Sequence, residues 1–131
     1  MKKISILIIL CVISSCQEKP CNTLVYQNGS TFFNGERYSG QCSDFHTNGE
    51  ISSIKTYENG FDHGLWEFFF SNGNLKLKGQ FHYGKRIGEW NYYFESGEIW
   101  KKHYYSDGEK SGTWLTFNIE GEIIKKEEVI K

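Results

Sequence analysis

The stretch Gly64-Leu65-Trp66-Glu67-Phe68-Phe69-Phe70-Ser71-Asn72-Gly73-Asn74-Leu75-Lys76-Leu77-Lys78-Gly79-Gln80-Phe81 decides the fold. Its first run is dense in aromatics and its second alternates apolar and polar residues, both marks of β-strands. Between them lies Asn72-Gly73. Like Asn48-Gly49 one step earlier, this pair predicts a tight hairpin with positive φ at both central residues.

The same pattern returns every 24 residues. Gly49, Gly73, Gly97 and Gly121 keep that step, as do Gly60, Gly84 and Gly108, and again Gly40, Gly64, Gly88 and Gly112. Trp66, Trp90 and Trp114 follow in phase, and Phe45, Phe69, Tyr93 and Phe117 form a further series. Several registers in step define an internal repeat, so each unit is one hairpin that must pair with its neighbours for stability. Ser96-Gly97 and Glu120-Gly121 lack the asparagine, so those turns are expected to differ in type. The second turn, at Asn59-Gly60 or Asp107-Gly108, is expected to lead through a few residues into the next Gly-x-Trp.

The predicted fold is all-β: repeated hairpins in an elongated, twisted antiparallel meander, with a closed or partly closed barrel as the alternative. On the return strands Ile51/Tyr57, Leu75/Phe81 and Ile99/Tyr105 are six apart, which puts each pair on one face of a regular strand. On the outgoing strands Trp66 and Phe68 share a face with Phe70, and Phe69 lies opposite; Trp90 and Tyr92 stand likewise against Tyr93. Either a bulge returns Phe69 and Tyr93 to the core side, or an aromatic face is left for a partner. In the first unit Cys42 stands where later units have tryptophan, which suggests a capping unit. The charged strand from Glu122 to Lys131 is positioned to protect the opposite edge.

The chain opens Met1-Lys2-Lys3, followed by an apolar run from Ile4 to Ile13 and then Ser14-Ser15-Cys16. A positive start, a short apolar core and small residues before a cut site are the features of an export signal. The run is about half the roughly 20 residues a spanning helix needs. Ile13-Ser14-Ser15-Cys16 resembles the lipobox of bacterial lipoproteins, which implies cleavage before Cys16 and acylation of its thiol; an ordinary signal with an incidental cysteine is the other reading. The expected organisation is a signal at 1–15, a short tether at 16–23 and a repeat domain at 24–131. By analogy with such lipoproteins, Gln17 in place of an aspartate implies the outer membrane if the cell has one. Outside the cytoplasm Cys21 and Cys42 are expected to bridge, the alternative being two packed thiols.

Removal of residues 1–15 leaves 13 basic and 16 acidic residues, a formal charge of −3, which argues against nucleic acid. All 22 aromatic residues lie beyond the signal, a load suited to a strand-rich fold. His46, His63, His82 and His103 share no repeat register and form no metal-type pair. Glu109-Lys110-Ser111-Gly112 lacks the spacing of a phosphate loop, and Asp44, Asp62 and Asp107 are too sparse for calcium turns. No catalytic, cofactor-binding or metal residue is expected, and no small-molecule substrate.

Tyr57-Glu-Asn59-Gly60-x-x-x-Gly64-x-Trp66-x-x-Phe69 resembles the MORN repeat, in the bacterial variant found in YwqK-type antitoxin proteins. Phe81 through Tyr93 and Tyr105 through Phe117 carry the same signature, so the likeness covers about residues 30–124. The resemblance implies an open, groove-like sheet of hairpins that binds proteins or membranes without catalysis. The function expected is a membrane-anchored interaction module of the cell envelope, held through Cys16 and presenting Trp66, Phe68, Phe69, Trp90, Tyr92, Tyr93, Trp114 and Phe117 to a protein partner. A toxin-neutralising immunity protein and a purely structural envelope protein are the alternatives.

Overall fold

The computed structural model of the chain describes residues 19–130. The signal segment and Cys16 lie outside the described residues. Strands β1 (Lys19–Pro20), β2 (Val25–Gln27), β3 (Ser30–Phe33) and β4 (Glu36–Arg37) form the N-terminal part, with a 3-10 turn at Cys21–Thr23. They are followed by β5 (Gly40–Phe45), β6 (Ile51–Glu58), β7 (Phe61–Asp62), β8 (Gly64–Phe69) and β9 (Leu75–His82). The last four are β10 (Lys85–Tyr93), β11 (Ile99–Ser106), β12 (Glu109–Phe117) and β13 (Ile123–Glu128).

The chain is all-β, as the sequence predicts. One sheet of ten strands runs β1-β5-β6-β8-β9-β10-β11-β12-β13, with the short β7 also on β6. From β5 onward every pairing is antiparallel and follows chain order, with β6 taking both the short β7 and β8 on one side, a meander. The two ends, β1 and β13, do not pair, so the sheet is open and not a barrel. The first unit departs from the single meander: β2, β3 and β4 form a separate three-stranded sheet. Within the segment read as a tether, Lys19 and Pro20 pair in parallel with Cys42 and Ser43, and a Cys21–Cys42 disulfide (S–S 2.11 Å) fixes this edge.

The turns differ from expectation, and for a definite reason. At Asn48-Gly49 and Asn72-Gly73 only the glycine has positive φ. The Phe70 N–H donates to the Asn74 carbonyl and the Gly73 N–H to the Phe70 carbonyl, so three residues are looped out instead of two. The same pair of bonds recurs at His46/Glu50, Phe94/Glu98 and Asn118/Glu122, so all four turns are of one type. The asparagines serve another purpose. Asn72 Oδ1 accepts from the Asn74 N–H (2.9 Å) while its Nδ2 donates to the Glu95 carbonyl of the next unit (3.0 Å), and Asn48 does likewise toward Ser71. In the small sheet Asn28-Gly29 and Asn34-Gly35 are two-residue turns with positive φ at both positions. In the large sheet such turns are Asn59-Gly60, Tyr83-Gly84 and Asp107-Gly108, and the strand resumes directly after each. Their glycine N–H groups donate to Tyr38, Asp62 and Arg86 respectively, stitching each turn to the unit before it.

The facial pairing of Leu75 with Phe81 does not hold. Phe68 pairs with Leu77 and Phe69 with Leu75, so Lys76 is an extra residue on β9. Similar shifts make Ser52, Trp100 and Ile124 extra residues on their strands. Such a bulge reverses the alternation beyond it. Phe81 therefore lies on the face of Trp66 and Phe68, and Leu75 lies opposite with Phe69. Ile51 and Ile99 are separated from Tyr57 and Tyr105 in the same way. The bulge sits on the return strand, so it does not bring Phe69 or Tyr93 across.

Candidate interaction face

A second irregularity places the tryptophans. Ile87 pairs with Gln80 and Asn91 with Lys78, so three residues, Gly88-Glu89-Trp90, face the single residue Gly79. Gly112-Thr113-Trp114 likewise face His103. This bulge needs a left-handed residue at its start, which Gly64 (φ 71), Gly88 (φ 63) and Gly112 (φ 61) supply. Each indole is thereby thrown back over the preceding strand. Trp114 stacks on His103 with centroids 3.7 Å apart and planes 12° apart. Trp90 covers Gly79, where an added Cβ would meet the ring at 2.1 Å. Trp66 has the Lys55 ammonium 5.7 Å from its centroid. The indole N–H of Trp66 donates to the Thr56 carbonyl (2.8 Å) and that of Trp114 to the Tyr104 carbonyl (3.0 Å). Trp90, sunk deeper and only 1% exposed, leaves its N–H without an acceptor among the described residues.

The rings join into one row across the sheet. Phe33, Tyr38, Tyr57, Trp66, Phe81, Trp90, Tyr105 and Trp114 contact one another in that order, with successive centroids 4.9 to 6.3 Å apart. Most contacts are edge-to-face or tilted, the arrangement aromatic quadrupoles favour. Beside the row lie Phe68, 6.2 Å from Trp66, and Tyr92, 5.1 Å from His103. Phe68 and Tyr92 are partly exposed, and strands β9 to β13 carry no second layer among the described residues.

At the N-terminal end the row is closed over. Tyr38, Cys42 and Tyr57 are buried, and Cys21, Leu24 and Phe33 pack on them. Cys42 is fully buried at the tryptophan register, so the disulfide fills the space an indole takes in later units. Burial, with Asp62 and Asp44 nearby, pushes the Tyr57 hydroxyl up to about 12. Burial likewise raises the Asp62 carboxyl above its ordinary range, against the opposing pull of Lys55.

The face is polarised along its length. Asp44 and Asp62 lie at the β5–β7 end, where Lys55 bridges to Asp44 at 3.3 Å. Lys101, Lys110 and Lys125 gather at the other end around Trp114 and His103. His103 is held below the ordinary histidine range, first by burial and then by Lys101 and Lys110. Among the described residues no three His, Cys, Asp or Glu converge as a metal site.

Of the aromatic residues proposed from sequence, Trp66, Phe68, Trp90, Tyr92 and Trp114 share this face. Phe69, Tyr93 and Phe117 lie on the opposite one, paired with Leu75, Ile99 and Ile123. Sequence reasoning missed Gly79, and it named Tyr57, Phe81 and Tyr105 as repeat residues without placing them on the candidate face. A signal existed for the rings, since the three are 24 apart and thus recur in phase with the tryptophans.

No curated protein sequence matches this chain. Among solved structures it is similar to accessory secretory protein 1, 2 and 3 of Streptococcus pneumoniae, with 19% identity and a TM-score of 0.39. That match covers 71% of this chain, which spans 18% of the other. The MORN repeat variant matches twice, at residues 62–83 and 86–108. Those segments hold the bulges at Gly64 and Gly88 and the hairpins that follow them, so two consecutive units of this chain match the MORN repeat variant.

Proposed function

We propose that the chain is a non-enzymatic, lipid-anchored protein of the bacterial cell envelope, and that its aromatic face is a docking surface for a protein partner. The observation that carries this reading is a one-layer sheet with Phe68, Tyr92 and their neighbours partly exposed beside a continuous row of rings. Large aromatics with little rotamer freedom are the side chains that concentrate binding energy at protein interfaces. The resemblance to MORN repeats points to the same class of role, and the lipobox-like Ile13-Ser14-Ser15-Cys16 supports the anchor. With only Gln17 and Glu18 between Cys16 and β1, the sheet would ride close to the membrane on its N-terminal, disulfide-pinned edge.

Affinity capture from intact cells tests the reading when wild type is run beside Phe68→Ser/Tyr92→Ser. A partner retained by wild type and by Phe69→Ser, but lost from the double variant, is the expected result. Equal recovery by all three defeats it. The mass of the N-terminal peptide checks acylation of Cys16 independently. Toxin neutralisation is the special form of this role that the antitoxin resemblance suggests. It predicts that a deletion strain is poisoned by sibling cells, and survival in co-culture removes it.

A further inference from the structure

The last unit breaks the repeat at one place on the aromatic face. The register that holds Phe68 and Tyr92 holds Thr116, which pairs with Lys101 on one side and Lys125 on the other. Tyr92, one unit earlier, pairs with Leu77 and Lys101. A ring flanked by leucine has thus become a small hydroxyl between two ammonium groups. The vacated space is a pocket of about 200 Å³, floored by the Trp114–His103 stack and walled by Lys101, Lys110 and Lys125.

Its charges are not balanced. Glu127 is the one carboxylate lining it, shared by Lys110 at 3.6 Å and Lys125 at 3.7 Å. Lys101 has no carboxylate partner among the described residues; its ammonium rests 3.8 Å from the Trp100 ring centroid. The Lys110 ammonium lies 4.1 Å from the Trp114 centroid, where the indole holds it at the mouth of the pocket.

We propose that this pocket is a carboxylate subsite, which takes a glutamate or aspartate side chain of a protein segment laid along the aromatic face. The cations are all lysine, they already hold one carboxylate, and the pocket has the size of a side chain set beside apolar rings. The identity of the segment rests on the docking role proposed above; the subsite itself rests on the geometry.

The test uses the full-length protein in detergent and a fluorescent oligoglutamate peptide, followed by anisotropy. Thr116→Tyr and Lys101→Leu restore the residues of the preceding unit, so both fit the repeat, and near-UV circular dichroism checks that the fold is kept. Together they should weaken peptide binding by about three- to fivefold, the scale of removing one exposed charge contact. Phe69→Ser, on the opposite face, should leave peptide binding unchanged; partner capture by Phe68→Ser/Tyr92→Ser is read separately, so the two proposals fail separately. Unchanged peptide affinity in the double variant overturns the subsite. So does preferential binding of phosphatidylglycerol vesicles, or of inorganic phosphate, with the same sensitivity to Thr116→Tyr.

Discussion

Gly79→Ala is a single added methyl, and the structure gives it an unusually large effect. A Cβ at Gly79 would stand 2.1, 2.4 and 2.5 Å from Cδ2, Cε2 and Cε3 of Trp90. Carbon atoms pack at about 3.5–4.0 Å, so the indole must retreat by about 1.5 Å. It has little room to do so, being 1% exposed with Phe81 at 5.0 Å, Tyr105 at 6.1 Å and the Arg86 guanidinium 4.6 Å from its centroid. Overpacking of this kind costs about 1–3 kcal/mol, and outright loss of a buried indole about 3–5 kcal/mol. Alanine is otherwise the better residue, since Gly79 has no positive φ and replacing glycine in a strand gains about 0.5–1 kcal/mol. The net expectation is a loss of about 2–4 kcal/mol, read from urea unfolding followed by tryptophan fluorescence. In a Trp90→Ala background the same change should become neutral or stabilising, because nothing is left to strike. A Gly79→Ala protein as stable as wild type, or an equal loss in both backgrounds, would refute the packing assigned to Trp90.

Tyr57 predicts a loss of stability in alkali. Its folded value of about 12 lies above the ordinary 10, so the unfolded chain releases the proton first. Stability should hold below pH 10, then fall as pH rises toward 12 by at most about 1.4 kcal/mol per unit; Tyr57→Phe should flatten that decline in urea midpoints. The Cys21–Cys42 bridge closes a 21-residue separation and should contribute about 3 kcal/mol, lost on reduction or in Cys21→Ser/Cys42→Ser. Thermal melts of the two forms check this. Asn72→Ala removes one bond within its turn and one to the next unit; an exposed pair of this kind should cost about 1 kcal/mol by chemical denaturation. For His103, held low by burial, the unfolded chain takes up a proton before the folded one. Stability should therefore fall as pH drops below the ordinary histidine range, and an NMR titration of its ring should show the lowered midpoint.

Much of this fold was legible because its signals are local and repeated. Glycine spacing marks every hairpin from β5 onward, and Gly64, Gly88 and Gly112 stand out as a series in the sequence; the small sheet of β2, β3 and β4 lies outside that spacing. What escaped depends on how neighbouring strands meet. The extra residues Ser52, Lys76, Trp100 and Ile124 share no side-chain type, so nothing in their identity announces a bulge. Without it, Leu75 and Phe81 read as facial partners. Asn72 reads as a turn residue by its backbone preference, whereas its side chain bonds to the Glu95 carbonyl, 23 residues away. Gly79 carried no repeat signal at all, because the same register holds Lys55 and His103 in the adjoining units. Only the depth of Trp90 explains it.

The central claim, that the face bearing Phe68 and Tyr92 receives a protein, is tested most directly by site-specific photo-crosslinking in living cells. A benzophenone side chain placed at Phe68 or Tyr92 should yield a discrete, larger protein adduct. The same probe at Lys78 or Lys102, which lie on the opposite face, should yield none. Adducts of equal strength from both faces, or from the opposite face alone, would contradict the account.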